Sequence, residues 1–327
     1  MMVPDGKNLR AEAMHDQLDI HLASDAERIE IYRNVHDVWG RGFSLDEHVQ
    51  RRLESVQHNR ARWFVGCVAG RVVTSLGCYP LEFQLRGQVV PGMAIGAVHT
   101  VEEFRGRGLA PRLFEWVESY QRQQGVKVSL LYSDIDPGYY ARLGYLECPA
   151  HEGLIDVTQA IPVSCGVAVT LVPFDSPSLE VIVGAYCAFQ LSVPFSIHRS
   201  EEYQDFLIRK GAQDRFYHVE VNGTRLGYIR VGEMQERGTD WTIRDWAMKN
   251  VDDCLFRDVV GAVIREGRKQ GIERIDGWLP DVTPLSEMIS LEKRREEITM
   301  VKPLVDDVNL DEDSLLAVDR FREIDHV

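Results

Sequence analysis

The sequence predicts an α/β protein made of two tandem modules, each with a mixed, mostly antiparallel central sheet flanked by helices. Two observations indicate this class. The same order of helices, β-hairpin, third strand, long amphipathic helix and buried strand occurs in the first half of the chain and again in the second. The 327 residues, 44% of them hydrophobic, are enough to bury two cores of ordinary size.

Helices open the first module, after a short strand predicted at residues 17–22. Ser24 is a helix start signal, and apolar residues then recur at three- and four-residue spacing through residues 25–39. Ser44 with Glu47 fits a capping box at the start of a second helix. Three histidines of this region are expected to be surface or hydrogen-bonded polar residues and not ligands: His36, His48 and His58.

The pattern then changes to the two-residue period of strands. Two β-rich runs joined at Gly70, and a third run after a turn at Gly87, predict an antiparallel three-stranded meander over residues 62–100. A helix ending at Gly125 follows. Residues 127–133 form a short buried strand, which is parallel to the preceding one if the helix crosses over in the usual right-handed sense.

The second module has its clearest signal at Asn222-Gly223, which lies between two β-rich runs and predicts a hairpin. A strand and two helices precede the hairpin, and a third strand, an amphipathic helix ending at Gly271 and a last strand follow it. These patterns divide the chain into a first module, a linker, a second module and an acidic tail, at residues 1–150, 151–166, 167–304 and 305–327.

The stretch at residues 94–120 predicts a strand, an anion-binding loop and a helix in succession. Gly106 and Gly108 lie where the chain turns into a helix whose first N–H groups are unpaired, a geometry that can cradle a pyrophosphate. A dinucleotide-binding fingerprint fits poorly, because its third glycine position is Pro111 and the strand is reached through a meander. The matching turn of the second module has two aspartates and no glycine, so that module is not expected to bind a pyrophosphate in this way.

This stretch resembles the signature of the GNAT superfamily of N-acetyltransferases, which Arg105, Gly108 and Ala110 fill. The segment VHTVEEF before it resembles the strand that holds the pantetheine arm, and YYARLGY after it resembles the FYxxxGF segment of the family. The resemblance implies an acetyl-CoA-dependent N-acetyltransferase that moves acetyl directly to a primary amine of a small molecule. It also implies a set of cofactor-binding residues: Val98, His99, Thr100, Arg105, Gly106, Arg107, Gly108, Leu109 and Ala110.

The same resemblance implies that Tyr140 protonates the departing CoA thiolate. The amine must also lose a proton before it attacks, because an alkylammonium is mostly charged at neutral pH. His99 is one candidate acceptor, although alternation along its strand puts it on the opposite side from Val98. Glu82, Asp134 and a water relay are comparable candidates.

A closer resemblance is to the enhanced-intracellular-survival (Eis) acetyltransferases, through the tandem arrangement and the segment SDIDPGYYARLGY. Those proteins carry a third, sterol-carrier-like domain, which is expected to be missing here, and they use their own C-terminal carboxylate as the base. The resemblance suggests that Phe321 docks the tail on the first module and brings Asp325 or the Val327 carboxylate to the amine pocket. A solvated helix is the alternative for this tail.

The amino-acid composition limits the classes of ligand and the location that are expected for this protein. The net charge of −14 disfavours nucleic acid and favours a cationic acceptor, for which Asp240 and Asp245 of the second module are candidate contacts beside a merely acidic surface. Six scattered cysteines without a CxxC pair predict buried thiols and no metal site. No apolar run reaches the roughly 18 residues of a membrane span, so a cytoplasmic protein, with homo-oligomers left open, is expected. A non-catalytic acyl-CoA sensor or scaffold is the alternative function.

Overall fold

The computed structural model describes residues 18–158, 168–176, 178–233, 239–249 and 252–327. These residues form two sheets with helices packed on their faces. The elements up to residue 150 are β1 Asp19–Leu22, α1 Asp25–Asn34, α2 His36–Trp39, α3 Leu45–Glu54, β2 Arg62–Val68, β3 Arg71–Leu85, β4 Gln88–Thr100, α4 Leu109–Gln123, β5 Val128–Ser133, α5 Gly138–Ala141 and β6 Leu146–Glu147. Their strands, with two later ones, β9 (Phe195–His198) and β15 (Ile298–Pro303), form the first sheet. Its strand order is β1-β2-β3-β4-β5-β15-β6, and β9 pairs with the far part of β3.

The elements after residue 150 are β7 His151–Asp156, β8 Val169–Pro173, α6 Leu179–Gln190, β9 Phe195–His198, α7 Glu201–Lys210, β10 Arg215–Val221, β11 Thr224–Glu233, β12 Asp240–Met248, α8 Asp253–Lys269, β13 Arg274–Trp278, α9 Thr283–Ser286, β14 Leu291–Lys293, β15 Ile298–Pro303 and α10 Glu312–Ala317. The second sheet has the strand order β14-β7-β13-β12-β11-β10-β8.

The two sheets repeat one pattern, as predicted. An antiparallel meander, β2-β3-β4 in the first and β10-β11-β12 in the second, leads into a long helix and then a strand parallel to the last meander strand. The predicted mixed α/β fold of two tandem modules is therefore confirmed. Local signals hold as well: Ser44 and Glu47 form a capping box, and Asn222-Gly223, both with positive φ, join β10 to β11.

Three segments pair with strands on the other side of a predicted domain boundary. Residues 151–156, predicted as part of the linker, form β7 in the second sheet. Strand β15, predicted within the second module, lies in the first sheet between β5 and β6, and β9 adds to β3. The physical reason is that each of these strands is short and pairs with residues far away in sequence, which local patterns do not encode.

Strands β9 and β15, helix α7 and the tail share one hydrophobic core with the first sheet. Its buried members include Phe83 and Ala94 of the first meander, Phe195 of β9, Leu207 of α7 and Phe321 of the tail. The tail is thus not a solvated helix, since Phe321 docks it on the first module. Phe321 has 4% of its surface exposed, and its ring lies 5.8 Å from that of Phe195.

Candidate active site

Strands β4 and β5 separate at the centre of the first sheet. They pair in parallel only from Gly92–Val128 to Ile95–Leu131, whereas β4 continues to Thr100. A bulge in the β3–β4 pairing, with Ala97 at a φ of 50°, accompanies the separation. The far part of β4 is paired with β3 on one side, and its residues 96–100, which include the predicted Val98, His99 and Thr100, are half-buried. The separation leaves a cleft that could admit an extended ligand between the strands.

The glycine-rich loop lies at the end of β4 and starts α4. Gly106 and Gly108 have φ values of 75° and 71°, and a Cβ atom added to either would meet no other atom within 4 Å. Gly108 is the N-cap residue and no side chain caps the helix, so the first N–H groups, including those of Leu109 and Ala110, are left for a ligand. Pro111, which has no N–H group, falls in this first turn. The loop thus leaves unpaired N–H groups open to solvent at the positive end of a helix, an arrangement that suits an anion.

Two arginines brace the loop from within. Arg105 Nε donates to the Thr100 carbonyl oxygen at 2.9 Å, and Arg107 Nη2 donates to the Glu103 carbonyl oxygen at 3.0 Å. The Arg107 guanidinium also lies 4.9 Å from the centre of the Phe104 ring. Both side chains are exposed, so each has donors left for an anion bound above the loop.

The second module closes the equivalent site with its own carboxylate. The Asp252 side chain accepts a hydrogen bond from Leu255 N at 2.8 Å and so caps helix α8. An anion at this helix start would meet that negative charge. The described residues therefore carry the open helix start in the first module and its capped counterpart in the second.

Tyr140 lies on the α4 side of the cleft. It is 8% exposed and packs in a cluster with Ile95, Phe114 and Leu131, against which Val98 also packs. Within the described part of the chain its hydroxyl has no hydrogen-bond partner. Burial, then the nearby Tyr139 and Asp134, raise the pKa of the phenol above its usual value, so the group is protonated at neutral pH.

The end of the chain lies on the other side of the same sheet. A Cβ atom on Gly96 would come within 3.3 Å of the main-chain oxygen of Val327 and equally close to its Cγ2. Gly96 belongs to the first residues of β4 beyond its pairing with β5. Val327 and Tyr140 therefore flank the cleft from opposite faces. Alternation from Val98 puts His99 on the Val327 face, and burial, then Arg105, lower the pKa of its imidazole.

An acidic cavity of about 470 Å³ lies beside this chain end. One wall is Trp278, whose ring centre is 5.9 Å from that of His326, the residue before Val327. Burial raises the pKa of Asp276 in the wall and that of Glu297, whose Oε1 is 3.7 Å from His326 Nε2. The other acidic residues of the wall are Glu152, Glu292 and Glu323.

Several residues expected to contact an amine lie elsewhere. Asp245 is buried and bound by Arg199, so it cannot receive a cationic acceptor; Asp240 is also buried and accepts from Thr239 Oγ1 at 3.3 Å. Asp134 is exposed at the end of β5 and accepts from Glu297 N at 3.1 Å. Glu82 is four residues from Cys78, the partner of Ile95, and therefore roughly 13 Å along β3 from the cleft.

Cysteines and histidines add little at this cleft. Cys67, Cys78 and Cys148 are buried as predicted, but Cys187 and Cys254 are exposed, and Cys165 lies outside the described residues. His48 and His58 each lie within hydrogen-bond distance of Arg52, as expected for satisfied polar groups. Within the described ranges one group of metal-ligand types, His21, Glu27 and Cys67, comes within 4.8 Å, and hydrogen bonds to Glu27 Oε1 account for it.

The sequence matches the family "Acetyltransferase (GNAT) domain" over residues 19–148, which span the cleft, the loop and Tyr140. Residues 19–148 are a GNAT acetyltransferase domain. No curated protein matches the chain. Among solved structures, a GCN5-related N-acetyltransferase from Anabaena variabilis ATCC 29413 is 17% identical, with a TM-score of 0.67, over 88% of this chain and 73% of that protein.

Two further structures resemble both modules together. Eis1 from Mycobacterium abscessus is 17% identical, with a TM-score of 0.58, over 88% of this chain and 74% of that one. A tandem GNAT protein from the clavulanic acid biosynthesis pathway is 13% identical, with a TM-score of 0.52, over 89% of this chain and all of that one. The tandem GNAT-like architecture is thus shared, and within it residues 19–148 match the acetyltransferase domain family.

Sequence reasoning missed most of the face of the cleft on which Val327 lies. Gly96 lies against Val327 there, and the rings of Tyr132, His326 and Trp278 of β13 form a cluster next to it, although these residues are far apart in sequence. Only the resemblance to proteins that use their chain end pointed to this face. The chain holds no other local signal for it, because the contacts depend on how β13 and the tail pack on the first sheet.

Among the described residues, no helix combines the length and apolar character that crossing a bilayer requires.

Proposed function

We propose that the GNAT domain transfers an acetyl group from acetyl-CoA directly to a primary amine of a small-molecule acceptor in the cytoplasm. The observation that carries this proposal is the cleft between β4 and β5, which lies between the open helix start at Gly108 and the chain end at Val327. In the proposal the loop from Arg105 to Ala110 holds the pyrophosphate, and Val98 to Thr100 hold the pantetheine arm.

Tyr140 is the general acid of the proposed reaction. The amine nitrogen attacks the thioester carbonyl, the C–S bond breaks, and the phenol protonates the CoA thiolate. The Tyr140 side chain is largely buried on the α4 face, and its hydroxyl has no hydrogen-bond partner among the described residues, which supports this role. Its raised pKa keeps the proton available at neutral pH.

For the base we favour the carboxylate of Val327 over Asp134. Val327 lies against Gly96 at the start of the separated part of β4, whereas Asp134 is exposed and engaged with Glu297 N. His99 remains a second candidate because it lies on the Val327 face with a lowered pKa. The acceptor enters from the acidic cavity beside Trp278 and His326, which suits a cationic amine.

The alternative is a non-catalytic sensor or scaffold that binds acyl-CoA, which the open loop alone would support. A panel of aminoglycosides, polyamines, amino sugars and amino acids, with acetyl-, propionyl- and myristoyl-CoA as donors, decides between the two. Thiol release that depends on both an amine and acetyl-CoA supports the enzyme. Binding of acetyl-CoA by calorimetry without thiol release for any acceptor would favour the sensor.

A further inference from the structure

The last residues of the chain are held by one helix of the second module. Helix α7 begins after Arg199 and ends at Lys210, and both of these residues bind the tail. Between them, the buried side chains of Tyr203, Phe206 and Leu207 share a hydrophobic cluster with the tail. The helix therefore contacts the tail at both ends and along its buried face.

Arg199 makes a bidentate contact with the tail. Its guanidinium is fully buried and donates to Asp325 at 3.1 Å from Nε and 2.5 Å from Nη2. On its other side Nη1 donates to both oxygens of Asp245 of β12, at 2.8 and 3.0 Å. Tyr228 donates to the same carboxylate at 2.7 Å, and the Tyr186 ring lies 4.1 Å from the guanidinium. This two-sided, bidentate arrangement fixes Asp325 in direction as well as in distance.

Lys210 fixes the main chain on either side of Asp325. Its Nζ donates to the Ile324 carbonyl oxygen at 2.8 Å and also to the His326 carbonyl oxygen. Burial lowers the pKa of this ammonium to about 8. Arg244 of β12 adds a third anchor through Glu323, with Nε 2.7 Å from Oε2. Charged contacts from the second module thus hold residues 323–326, directly before Val327.

We propose that Arg199 is a positioning residue, which through Asp325 holds Val327 at the cleft of the first module. The inference rests on the proposed function, because it takes Val327 as the proton acceptor. It gives the second module a role in the reaction of the first: its helix α8 has a capped start that suits no anion, while its α7 and β12 fix the chain end that the first module needs.

Asp325→Asn is the sharpest test, since the amide keeps the shape and loses the charge that Arg199 binds. Asp319→Asn is the matched control: Asp319 is a carboxylate of the same segment with 9% of its side chain exposed, and it binds His151 and Asp281 N instead of Arg199. Because a small misplacement of a reacting group can cost ~10²-fold in rate, we expect kcat to fall about 10- to 100-fold in Asp325→Asn. The dissociation constant of acetyl-CoA should stay within about twofold, because the loop is on the other face.

The pH profile separates positioning from general damage. With the base displaced, turnover should follow the fraction of free amine and rise toward alkaline pH, whereas a merely destabilised enzyme would lose rate equally at every pH. Arg199→Lys, which keeps the charge without the bidentate geometry, should lie between wild type and Asp325→Asn. Unchanged kcat and profile in Asp325→Asn, or an equal loss in Asp319→Asn, would overturn the proposal.

Carboxypeptidase digestion followed by mass spectrometry tests the anchoring without turnover. Wild type and Asp319→Asn should keep His326 and Val327, and Asp325→Asn should lose them at least tenfold faster. If wild type transfers acetyl to no amine, the proposed function fails and this digestion still tests the anchor. If wild type is active but all three proteins resist digestion alike, only the positioning role of Arg199 is wrong.

Discussion

Single side chains in this protein gain their properties mainly from burial. His58 is an example: burial, then the charge of Arg52, lower the pKa of its imidazole to about 3. The Nε2 atom of His58 lies 2.7 Å from Arg52 Nη1. Its ring also stacks on Trp63, with centres 6.0 Å apart. The neutral imidazole is an acceptor for the guanidinium, so protonation would remove a hydrogen bond and add a like charge.

Stability should therefore fall in acid through His58. Its folded pKa of about 3 is below the unfolded value near 6.5, so the unfolded state binds the extra proton and stability drops as the pH falls from about 6.5. From pH 7 to pH 5 this contributes about 2 kcal/mol at most. We expect His58→Gln, which keeps an acceptor for Arg52, to lose less unfolding free energy over this range than wild type, as measured by urea titration. Identical losses would show that His58 is not responsible.

Tyr140→Phe should lower kcat by about 10²-fold or more while leaving folding nearly unchanged. Removing the hydroxyl breaks no hydrogen bond to any described residue, and the ring keeps its contacts with Phe114. Because burial raises the pKa of the phenol, wild type should show no loss of kcat from its ionisation below pH 10. Tyr139→Phe, on a half-buried neighbour, is the matched control and should retain its rate. Full turnover in Tyr140→Phe would exclude the assignment.

At the scale of elements, the join between β4 and α4 determines what the first module can bind. Gly108 holds a left-handed conformation at a φ of 71°, which costs other residues roughly 1–2 kcal/mol. We expect Gly108→Ala to weaken acetyl-CoA binding about fivefold to tenfold in calorimetry, since a shift of the loop misdirects its N–H groups.

Gly87→Ala provides the control for that change. Gly87 also has a positive φ, 85°, and open space around it, but it lies in the β3–β4 hairpin away from the loop. Both variants should lose similar stability, and only Gly108→Ala should lose affinity. Equal affinities in the two would mean that the loop does not hold the ligand.

The same elements show what sequence can predict. Caps, hairpin turns and helix starts depend on neighbours within a few residues. The capping box at Ser44, the helix start after Gly108 and the hairpin turn at Asn222 are therefore predicted correctly, whereas ligand binding by the glycine loop stays a prediction. Strands β9 and β15 were misplaced or missed because their four and six residues carry no sign of their distant partners. Local patterns also carry no sign of the contact between Gly96 and Val327, because the two residues are far apart in sequence.

At the scale of the whole molecule, the first sheet takes strands from both halves of the chain, which the tandem sequence pattern does not show. Strand β15 lies between β5 and β6 of the first sheet, with Met300 and Val301 fully buried. The division at residues 150 and 167 remains a prediction from the sequence repeat. It does not coincide with the points at which the chain passes from one sheet to the other. Removing everything after residue 150 would leave an open edge on β5 and an unfilled core.

We therefore expect the full chain to unfold in a single cooperative transition, with calorimetric and van't Hoff enthalpies in agreement. A fragment of residues 1–150 should fail to fold, because it lacks β15 beside β5, β9 beside β3, and the tail residue Phe321 that packs in the same core. Scanning calorimetry of the full chain and near-ultraviolet circular dichroism of the fragment check this. Two separate transitions, or a fragment with native-like aromatic signals that binds acetyl-CoA, would show that the first module is stable alone. In that case the second module would be needed only to hold the chain end, and Asp325→Asn, not truncation, would be the variant that isolates its contribution.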